Sequence, residues 1–488
     1  MILSRRYAQS AEKVSDAQLG LFNEAEETLE EDADGEDSAD AVDADADTEV
    51  AAHVRRRGKR KPLPEHLERV DIEHELPEAE RTCPQHDVAL KRFAEEVSEQ
   101  LDIIPAKIRV LRHVRGKYRC PCCEGHLVTA SMTAQPIPKS VASPGLLACI
   151  AVGKFCDALP LYRQTQQFGR IGVEFSRTTL AAWMVKMGQL VQSLINLLRE
   201  RLLEKGYVLM DETRVQVLAE AGKPAESQSY LWAQRTVGMN PIVLFDYDPT
   251  RSSAVPVRLL EGFSGTLHTD GYRGYDGVVE SQNLTRLYCF AHARRKFVEV
   301  IKGAGINPKK IPNKPPPQVR AALKPINFIK TLYAIERRIQ ELPPDERYRQ
   351  RHRDSVPVLN KLRAWLDDRL KGVLPSGKMG QAITYLDNQW LGLTRYVEDG
   401  RYRIDTNLIE NAIRPFCVGR KNWLFSQSVA GAKASANLYS LIETAKANGV
   451  EPYAYLRHVF TELPKANTVE DIEALLPDHV DVAAITPA

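Results

Sequence analysis

Hydrophobic and polar positions divide the chain into stretches with different periodicities. Apolar side chains recur at helical spacing in residues 143–205, and from 207 to 290 the pattern changes to five short apolar runs typical of strands, with one helix-like stretch among them. Residues 301–400 are strongly charged and helical in pattern, and the helical pattern returns from 401 to 462. Strands followed by a helix and further strands predict an α/β fold with a mixed sheet.

Closely spaced cysteines mark residues 66–130, where alternating apolar positions such as Ile108 and Val110 favour strands in a small β-rich module. A Cys-x2-His pair and a Cys-x2-Cys pair are separated by 33 residues, and a hairpin that joins them would supply the tetrahedral ligand set that suits structural Zn²⁺. The predicted zinc ligands are Cys83, His86, Cys120 and Cys123. Cys122 competes for the last position, but at a poorer spacing.

Residues 161–183 have the pattern of a helix, a turn and a second helix. The turn contains Gly172, Ser176 is expected to cap the second helix, and Arg177 and Thr178 open it. In helix-turn-helix proteins, side chains at the start of the second helix read a DNA groove. The pattern therefore predicts DNA contacts at Arg177 and Thr178, although an ordinary helical hairpin has the same pattern.

Three acidic residues lie where their side chains could meet at one end of the sheet. Asp211 follows one apolar strand-like run, and Asp270 ends another. Glu410 lies at helical spacing shortly before a proline. Converging carboxylates can hold two Mg²⁺ or Mn²⁺ ions, which activate the attacking oxygen and stabilise the leaving oxygen in phosphoryl transfer. Because the chain has 64 acidic residues, spacing alone favours ordinary surface carboxylates.

Basic and aromatic residues surround these carboxylates in the sequence. Such side chains can position phosphates or stack on a base, so we expect DNA contacts among them. The predicted contacts are His292, Arg294, Arg295, Arg414, Arg420, Lys421 and Trp423. The alternatives are a solvated basic face and, for Trp423, an ordinary core position beside Leu424 and Phe425.

Charge is distributed unevenly along the 488 residues. The chain carries 66 Lys and Arg against 64 Asp and Glu, a net charge of +2 that by itself argues against a polyanionic partner. Residues 24–49 hold 14 acids and no base, however, so 50 acids face 66 bases elsewhere. A basic run follows at Arg55, Arg56, Arg57, Lys59, Arg60 and Lys61. This run predicts DNA affinity without sequence preference, and the acidic run is either a tether or a shield for it.

The remaining sequence features concern the compartment. The longest apolar run, around 144–153, is far shorter than the roughly 20 residues of a membrane-spanning helix, and residues 1–7 lack the apolar core of a signal peptide. Four of the 8 cysteines belong to the predicted zinc module. These features favour a reduced, cytoplasmic compartment and no membrane partner.

Taken together, these residues resemble the IS66 family of transposases, which are DDE recombinases of bacterial insertion sequences. The resemblance extends over residues 5–462, or nearly the whole chain. Its most specific motifs are Asp211-Glu212-Thr213, Asp270-Gly271-Tyr272, residues 291–297 and residues 419–425. Thr406 and Asn411 depart from the family's pattern around Glu410. The family's leucine-zipper-like N-terminal helix is expected to be missing.

The resemblance implies an RNase H-like catalytic core in which Asp211, Asp270 and Glu410 form a DDE triad that binds two Mg²⁺ or Mn²⁺ ions. The implied domains are 1–23, a remnant of an N-terminal helical segment; 24–65, an acidic then basic linker; 66–130, a zinc-finger module; 143–205, a helical DNA-binding region; 206–425, the catalytic domain with a helical insertion at 301–395; and 426–488, a C-terminal helical region and tail.

The function implied by the resemblance is DNA transposition. The protein would bind the terminal inverted repeats of its element, cleave at the 3′ end and join that end to target DNA. The expected partners are double-stranded DNA, a second copy of the chain and small accessory proteins of the same element, in the cytoplasm at the nucleoid. Two other functions remain open, a catalytically silent DNA-binding regulator and a nuclease of the same fold.

Overall fold

The computed structural model describes residues 71, 100, 107–119, 127–372 and 374–485. The described residues from Thr133 onward form one compact unit, and those before Thr133 belong to a second unit. The four predicted zinc ligands, the acidic run and the basic run at 55–61 lie outside the described residues.

The unit before Thr133 contains a small antiparallel hairpin. Its strands are β1 (Lys117–Arg119) and β2 (Leu127–Thr129), which place Tyr118 opposite Val128. The prediction of a strand around Ile108 and Val110 is wrong, because both residues lie in irregular backbone. Both side chains are exposed, so no burial of an apolar face favours a strand there.

Four helices precede the sheet. They are α1 (Pro144–Phe155), α2 (Leu161–Arg170), α3 (Arg177–Leu190) and α4 (Gln192–Leu203). The predicted helix, turn and helix is present in α2 and α3, since Gly172 has a φ of 81° in the turn and the Ser176 side chain accepts a hydrogen bond from the backbone of Thr179. This cap fixes the first turn of α3.

A mixed sheet with the order β5-β4-β3-β6-β7 forms the centre of the unit, which agrees with the α/β prediction. The strands are β3 (Tyr207–Ala219), β4 (Gln228–Thr236), β5 (Val243–Asp248), β6 (Thr266–Thr269) and β7 (Thr285–Tyr288). The first three strands pair antiparallel, whereas β6 and β7 run parallel to β3. The central strand β3 therefore pairs with β4 on one side and β6 on the other.

The remaining helices follow the strands or lie between them. They are α5 (Ala254–Leu259), α6 (Asp276–Ser281), α7 (Phe290–Gly303), α8 (Pro317–Ile339), α9 (Pro344–Gln350), α10 (Val356–Leu370), α11 (Lys378–Asn388), α12 (Trp390–Thr394), α13 (Asn407–Trp423), α14 (Val429–Ala447), α15 (Pro452–Glu462), α16 (Val469–Glu473) and α17 (Val482–Ile485). A short strand, β8 (Ser426–Ser428), pairs with the end of β3. Among the described residues, no helix is both long and apolar enough to cross a bilayer.

Two hydrophobic cores hold this unit together. The larger core joins α1–α4, the sheet, α13 and the C-terminal helices, so the regions expected at 143–205 and 426–488 share one core with the sheet. Gly188 on α3 is packed so closely that an added Cβ would lie 2.5 Å from the Cβ of Ala434 on α14. The smaller core joins α7 to the helices of the expected insertion.

A buried arginine ties the insertion to the segment that leads into α13. Arg351 is 1% exposed, and its guanidinium forms an ion pair with Glu336 at 2.6 Å. It also donates hydrogen bonds of 2.8 Å to the backbone carbonyls of Tyr396, Asp399 and Tyr402. One side chain thereby satisfies groups from two separate stretches of chain, α8 and residues 396–402.

Replacing Arg351 with Met should destabilise the protein strongly. The change leaves the half-buried Glu336 without its partner and three backbone carbonyls without their hydrogen bonds, which together cost about 3–5 kcal/mol. Urea denaturation followed by circular dichroism measures the loss. The matched control is Arg349→Met, whose side chain is 70% exposed and pairs with Glu346 at the surface, so we expect a change within about 0.5 kcal/mol. Equal losses in the two variants would contradict the role given to Arg351.

Candidate active site

The pairing of β3 with β6 brings Asp211 and Asp270 to the same part of the sheet. The two strands are parallel, and Leu209 lies opposite His268. Asp211 lies two residues beyond Leu209 on β3, and Asp270 lies two residues beyond His268, directly after β6. Because side chains alternate between the faces of a sheet, this register puts the two carboxylates on the same face, at neighbouring positions.

Helix α13 supplies the third carboxylate. Glu410 lies in its first turn and is 5% exposed. Further along the helix, Cys417 contacts the hydroxyl of Thr213, with 3.4 Å between Sγ and Oγ1, so α13 lies on the face of β3 that carries Asp211 and Thr213. The sequence-predicted residues Asp270 and Glu410 both lie close enough to Asp211 for their charges to act on its carboxyl.

The electrostatics of Asp211 reflect this crowding. Burial raises the pKa of its carboxyl well above the usual range, and the negative charges of Glu212, Asp270 and Glu410 raise it further. A hydrogen bond from the backbone amide of Glu212 acts in the opposite direction. A divalent cation would relieve this repulsion, and the three carboxylates offer only oxygen ligands. The donor set fits Mg²⁺ or Mn²⁺.

A buried arginine, Arg286, holds the backbone of the loop that carries Asp270. The backbone amide of Tyr272 donates to Asp270 Oδ1 at 2.8 Å. Arg286 on β7 donates to the backbone carbonyls of Asp270 and Tyr272 at 3.2 and 2.8 Å, and its guanidinium also pairs with Asp276. The Asp270 carboxylate thus accepts a backbone hydrogen bond at Oδ1, while Arg286 holds the backbone that carries it.

Glu212 belongs to the opposite face of the sheet, although it is next to Asp211 in sequence. Its carboxylate accepts hydrogen bonds of 2.6 Å from the Tyr275 hydroxyl and from Arg251 Nε. The Arg251 guanidinium lies over the Tyr272 ring, 3.8 Å from its centroid. These contacts tie the segment after Asp270 to β3, which makes Glu212 a residue that positions the loop.

Two side chains near Glu410, the Cys289 thiol and the His292 imidazole, could also bind a metal ion. The Thr406 hydroxyl donates to Glu410 Oε1 at 3.4 Å, and His292 Nδ1 lies 3.7 Å from the same oxygen. Cys289, His292 and Glu410 have ligand atoms within 4.8 Å of one another. Burial lowers the pKa of His292 well below its usual range and raises the pKa of the Cys289 thiol. Asn411, the other departure from the family pattern, is exposed.

The predicted DNA contacts occupy different environments. Arg177 and Thr178 are exposed at the start of α3, and Lys421 is exposed near the end of α13. Arg294, Arg295 and Arg414 are half-buried. His292 faces Glu410, as described above.

Two of the predicted contacts differ from the expectation. Arg420 is only 3% exposed, and its guanidinium donates to the Thr213 hydroxyl at 3.1 Å and to the backbone carbonyl of Arg214. It therefore fastens α13 to β3, with little of its side chain exposed to meet a phosphate. Trp423 is partly buried and packs edge-on against Phe416 with 5.3 Å between ring centroids, which favours the core alternative.

Sequence reasoning missed several residues of this region. Arg286 and Arg251 lie outside any local motif, and only the folded sheet brings them behind the Asp270 loop. Cys289 and His292 have the Cys-x2-His spacing of a metal-binding pair, which was a usable signal. Their proximity to Glu410, more than 100 residues later, could not be predicted from the sequence.

Profiles of one protein family match most of the chain. The profile described as "Transposase IS66 family" matches residues 139–434, and the IS66 C-terminal element matches 440–477. A zinc-finger binding domain of transposase IS66 matches residues 80–124, and a profile described as "Transposase C of IS166 homeodomain" matches residues 2–72. These matches support a structural Zn²⁺, DNA as a partner and a transposase-type enzyme.

Three proteins of Sinorhizobium fredii are similar over most of their length. The uncharacterized protein y4jD is 34% identical over 428 residues, which cover 85% of this chain and 81% of the relative. The uncharacterized protein y4qI is 33% identical over 455 residues, covering 88% and 80%, and y4hP is 29% identical over 453 residues, covering 91% and 81%. Because the main profile matches more than half of the chain, the chain belongs to the IS66 family of transposases.

Proposed function

We propose that the chain catalyses DNA transposition on an RNase H-like core in which Asp211, Asp270 and Glu410 are the DDE triad. The observation that carries this proposal is the convergence of three carboxylates from β3, the end of β6 and the first turn of α13. The order of the sheet, with three antiparallel strands followed by two parallel ones, also supports such a core.

The chemistry follows from an oxygen-only ligand set. When bound, two Mg²⁺ or Mn²⁺ ions activate an attacking oxygen and stabilise the leaving oxygen of an in-line displacement. The task of the protein is to hold Asp211, Asp270 and Glu410 in place, and the contacts of Arg286 and Arg420 keep the loop and the helix from moving apart. No side chain forms a covalent intermediate in this scheme.

The reaction comprises two phosphoryl transfers. In the first, the oxygen of a water molecule forms a bond to phosphorus next to the element's end, and the bond from phosphorus to the 3′-oxygen breaks, which frees a 3′-hydroxyl. In the second, that 3′-hydroxyl attacks a target phosphodiester and the target's own 3′-oxygen leaves. The second step conserves the number of phosphodiester bonds, so it needs no external energy source.

Recognition of the element ends would be divided among separate parts of the chain. The zinc-finger module with Cys83, His86, Cys120 and Cys123, and the basic run at 55–61, would contribute contacts to DNA, while the start of α3 reads bases. The transposase would act as at least a homodimer, because two element ends must be brought together, and with small accessory proteins of the element at the nucleoid.

Replacing Asp270 with Asn should abolish cleavage and strand transfer while leaving DNA binding intact. Loss of one metal ligand removes several kcal/mol of transition-state stabilisation, or at least about a 10³-fold decrease in rate. The assay uses end-containing DNA with Mg²⁺, and a separate substrate with a pre-cut 3′-hydroxyl isolates joining. The matched control is Glu280→Gln, an exposed acid on α6.

The two alternative functions give different results in that assay. A nuclease of the same fold would cut the first substrate but never join the pre-cut end. A DNA-binding regulator would do neither in the wild-type protein. Activity that survives in Asp270→Asn would overturn the assignment of the triad.

Replacing Asp211 with Asn should stabilise the metal-free protein and remove its stabilisation by Mg²⁺. The raised pKa means that folding favours the protonated carboxyl, so stability is lost as the pH rises from the ordinary pKa of an aspartate to the raised one. At pH 8 in EDTA, Asn relieves the repulsion and should add about 0.5–2 kcal/mol. Thermal melting with and without Mg²⁺ measures both effects. A variant that melts below wild type in EDTA would contradict the crowding of the carboxylates.

Replacing Arg177 with Ala should weaken binding to the element's ends. Loss of a base contact costs about 1–3 kcal/mol, or roughly a 5- to 150-fold increase in Kd, and should relax sequence preference at the contacted base pair. The control is Lys186→Ala, an exposed position further along α3. Footprinting and competition with unrelated DNA measure the two effects. An unchanged footprint would refute the reading role of α3.

A further inference from the structure

The cluster of Cys289, His292 and Glu410 has a chemistry that the DDE reaction does not use. The ligand atoms of the three side chains lie within 4.8 Å of one another. Cys289 is fully buried, and Glu410 is 5% exposed. The thiol and the imidazole are poor ligands for Mg²⁺, which prefers oxygen.

The fold builds this cluster from two separate parts of the chain. Cys289 directly follows β7 and occupies the N-cap position of α7, and His292 lies one turn later on the same helix. The segment before α13 is held against them, because the amide of Phe290 donates to the Ile404 carbonyl at 3.1 Å and the amide of Thr406 donates to Cys289 Sγ at 3.3 Å. These contacts set the position of Glu410 relative to α7.

The distance between His292 and Glu410 fits two ligands of one cation. His292 Nδ1 lies 3.7 Å from Glu410 Oε1, which is too long for a hydrogen bond. Ligands at about 2.0–2.3 Å from a tetrahedral Zn²⁺ are themselves roughly 3.3–3.7 Å apart. Although Nδ1 is shielded from solvent, it has no hydrogen-bond partner among the described residues. A buried nitrogen without a partner calls for a ligand that accepts its lone pair or its proton.

The identity of the three donors selects the class of metal. A thiolate, an imidazole and a carboxylate form the mixed set that binds Zn²⁺ and related borderline cations. Three protein ligands leave a fourth position open for water or a phosphate oxygen, unlike the four-ligand set predicted for the zinc-finger module.

We propose that Cys289, His292 and Glu410 form a second Zn²⁺ site that shares Glu410 with the catalytic carboxylates and inhibits the Mg²⁺-dependent reaction when it is occupied. Zn²⁺ bound here withdraws Glu410 from the oxygen-only set, so the two metal arrangements exclude each other. The binding of Zn²⁺ is independent of the proposed transposase activity, whereas the inhibition rests on it.

Binding is tested with Co²⁺, which takes Zn²⁺ sites and gives an absorption band when a thiolate coordinates it. The full chain should bind one more Co²⁺ than the variants Cys289→Ser and His292→Gln, or bind that ion at least about 10-fold more tightly, since even outer contacts to a metal site contribute 10–100-fold in affinity. The zinc-finger cysteines are present in every sample and cancel in the difference. The matched control is Cys417→Ser, a buried thiol on α13 outside the cluster.

Inhibition is tested by titrating Zn²⁺ into strand-transfer reactions with a fixed excess of Mg²⁺. Each variant is compared with its own rate without Zn²⁺. Wild type and Cys417→Ser should lose at least about 10-fold of their rate at a concentration of Zn²⁺ that leaves Cys289→Ser and His292→Gln within about 2-fold. Circular dichroism and melting temperature show whether each variant is folded.

The outcomes separate the two parts of the proposal. Equal Co²⁺ binding in wild type and in folded Cys289→Ser and His292→Gln overturns the site, whether or not the protein transposes DNA. Altered binding with equal Zn²⁺ sensitivity overturns the inhibition and points to Zn²⁺ acting at the Asp211 and Asp270 ligands. Altered Co²⁺ binding in a protein without any strand transfer supports the site and counts against the proposed function alone.

Discussion

Repulsion among clustered carboxylates is the constraint on which the rest of the candidate active site depends. Asp211 carries a raised pKa because it is buried and because three other acids act on it. Left to themselves, such side chains would move apart or become protonated, so the scaffold must hold them together. The surrounding arginines meet this need from behind, since Arg286 holds the loop after Asp270 and Arg420 holds α13 to β3.

The arginines near these acids contact other groups of the scaffold, so they do not neutralise the acids. Arg286 donates to backbone carbonyls and pairs with Asp276, Arg420 donates to a hydroxyl and a carbonyl of β3, and Arg251 pairs with Glu212 on the opposite face of the sheet. An arginine paired directly with Asp211 or Asp270 would compete with a metal ion for the same oxygens. The fold thus separates the charges that stabilise the scaffold from the charges that can bind a cation.

Much of this arrangement was predictable from the sequence, and what was not depends on long-range packing. The strands of the sheet and the α2–α3 turn with its Ser176 cap follow from local periodicity and cap chemistry. The convergence of Asp211, Asp270 and Glu410 came from the resemblance to a family, since spacing alone favoured surface carboxylates. The burial of Arg420 was missed because a basic residue in a Gly-Arg-Lys sequence reads as exposed, and only the packing of α13 on β3 turns it inward.

Thr406 shows how one position can connect the two hydrophobic cores to the site. Its backbone amide donates to Cys289 Sγ at the start of α7, and its hydroxyl donates to Glu410 Oε1 one turn into α13. Because α7 packs in the core of the insertion and α13 packs in the core of the sheet, a shift between the cores would change both contacts together. The departure from the family pattern at residue 406 therefore lies where the insertion meets Glu410. A hydroxyl at this position restrains Glu410 Oε1 without adding a positive charge that would compete with a cation for the carboxylate.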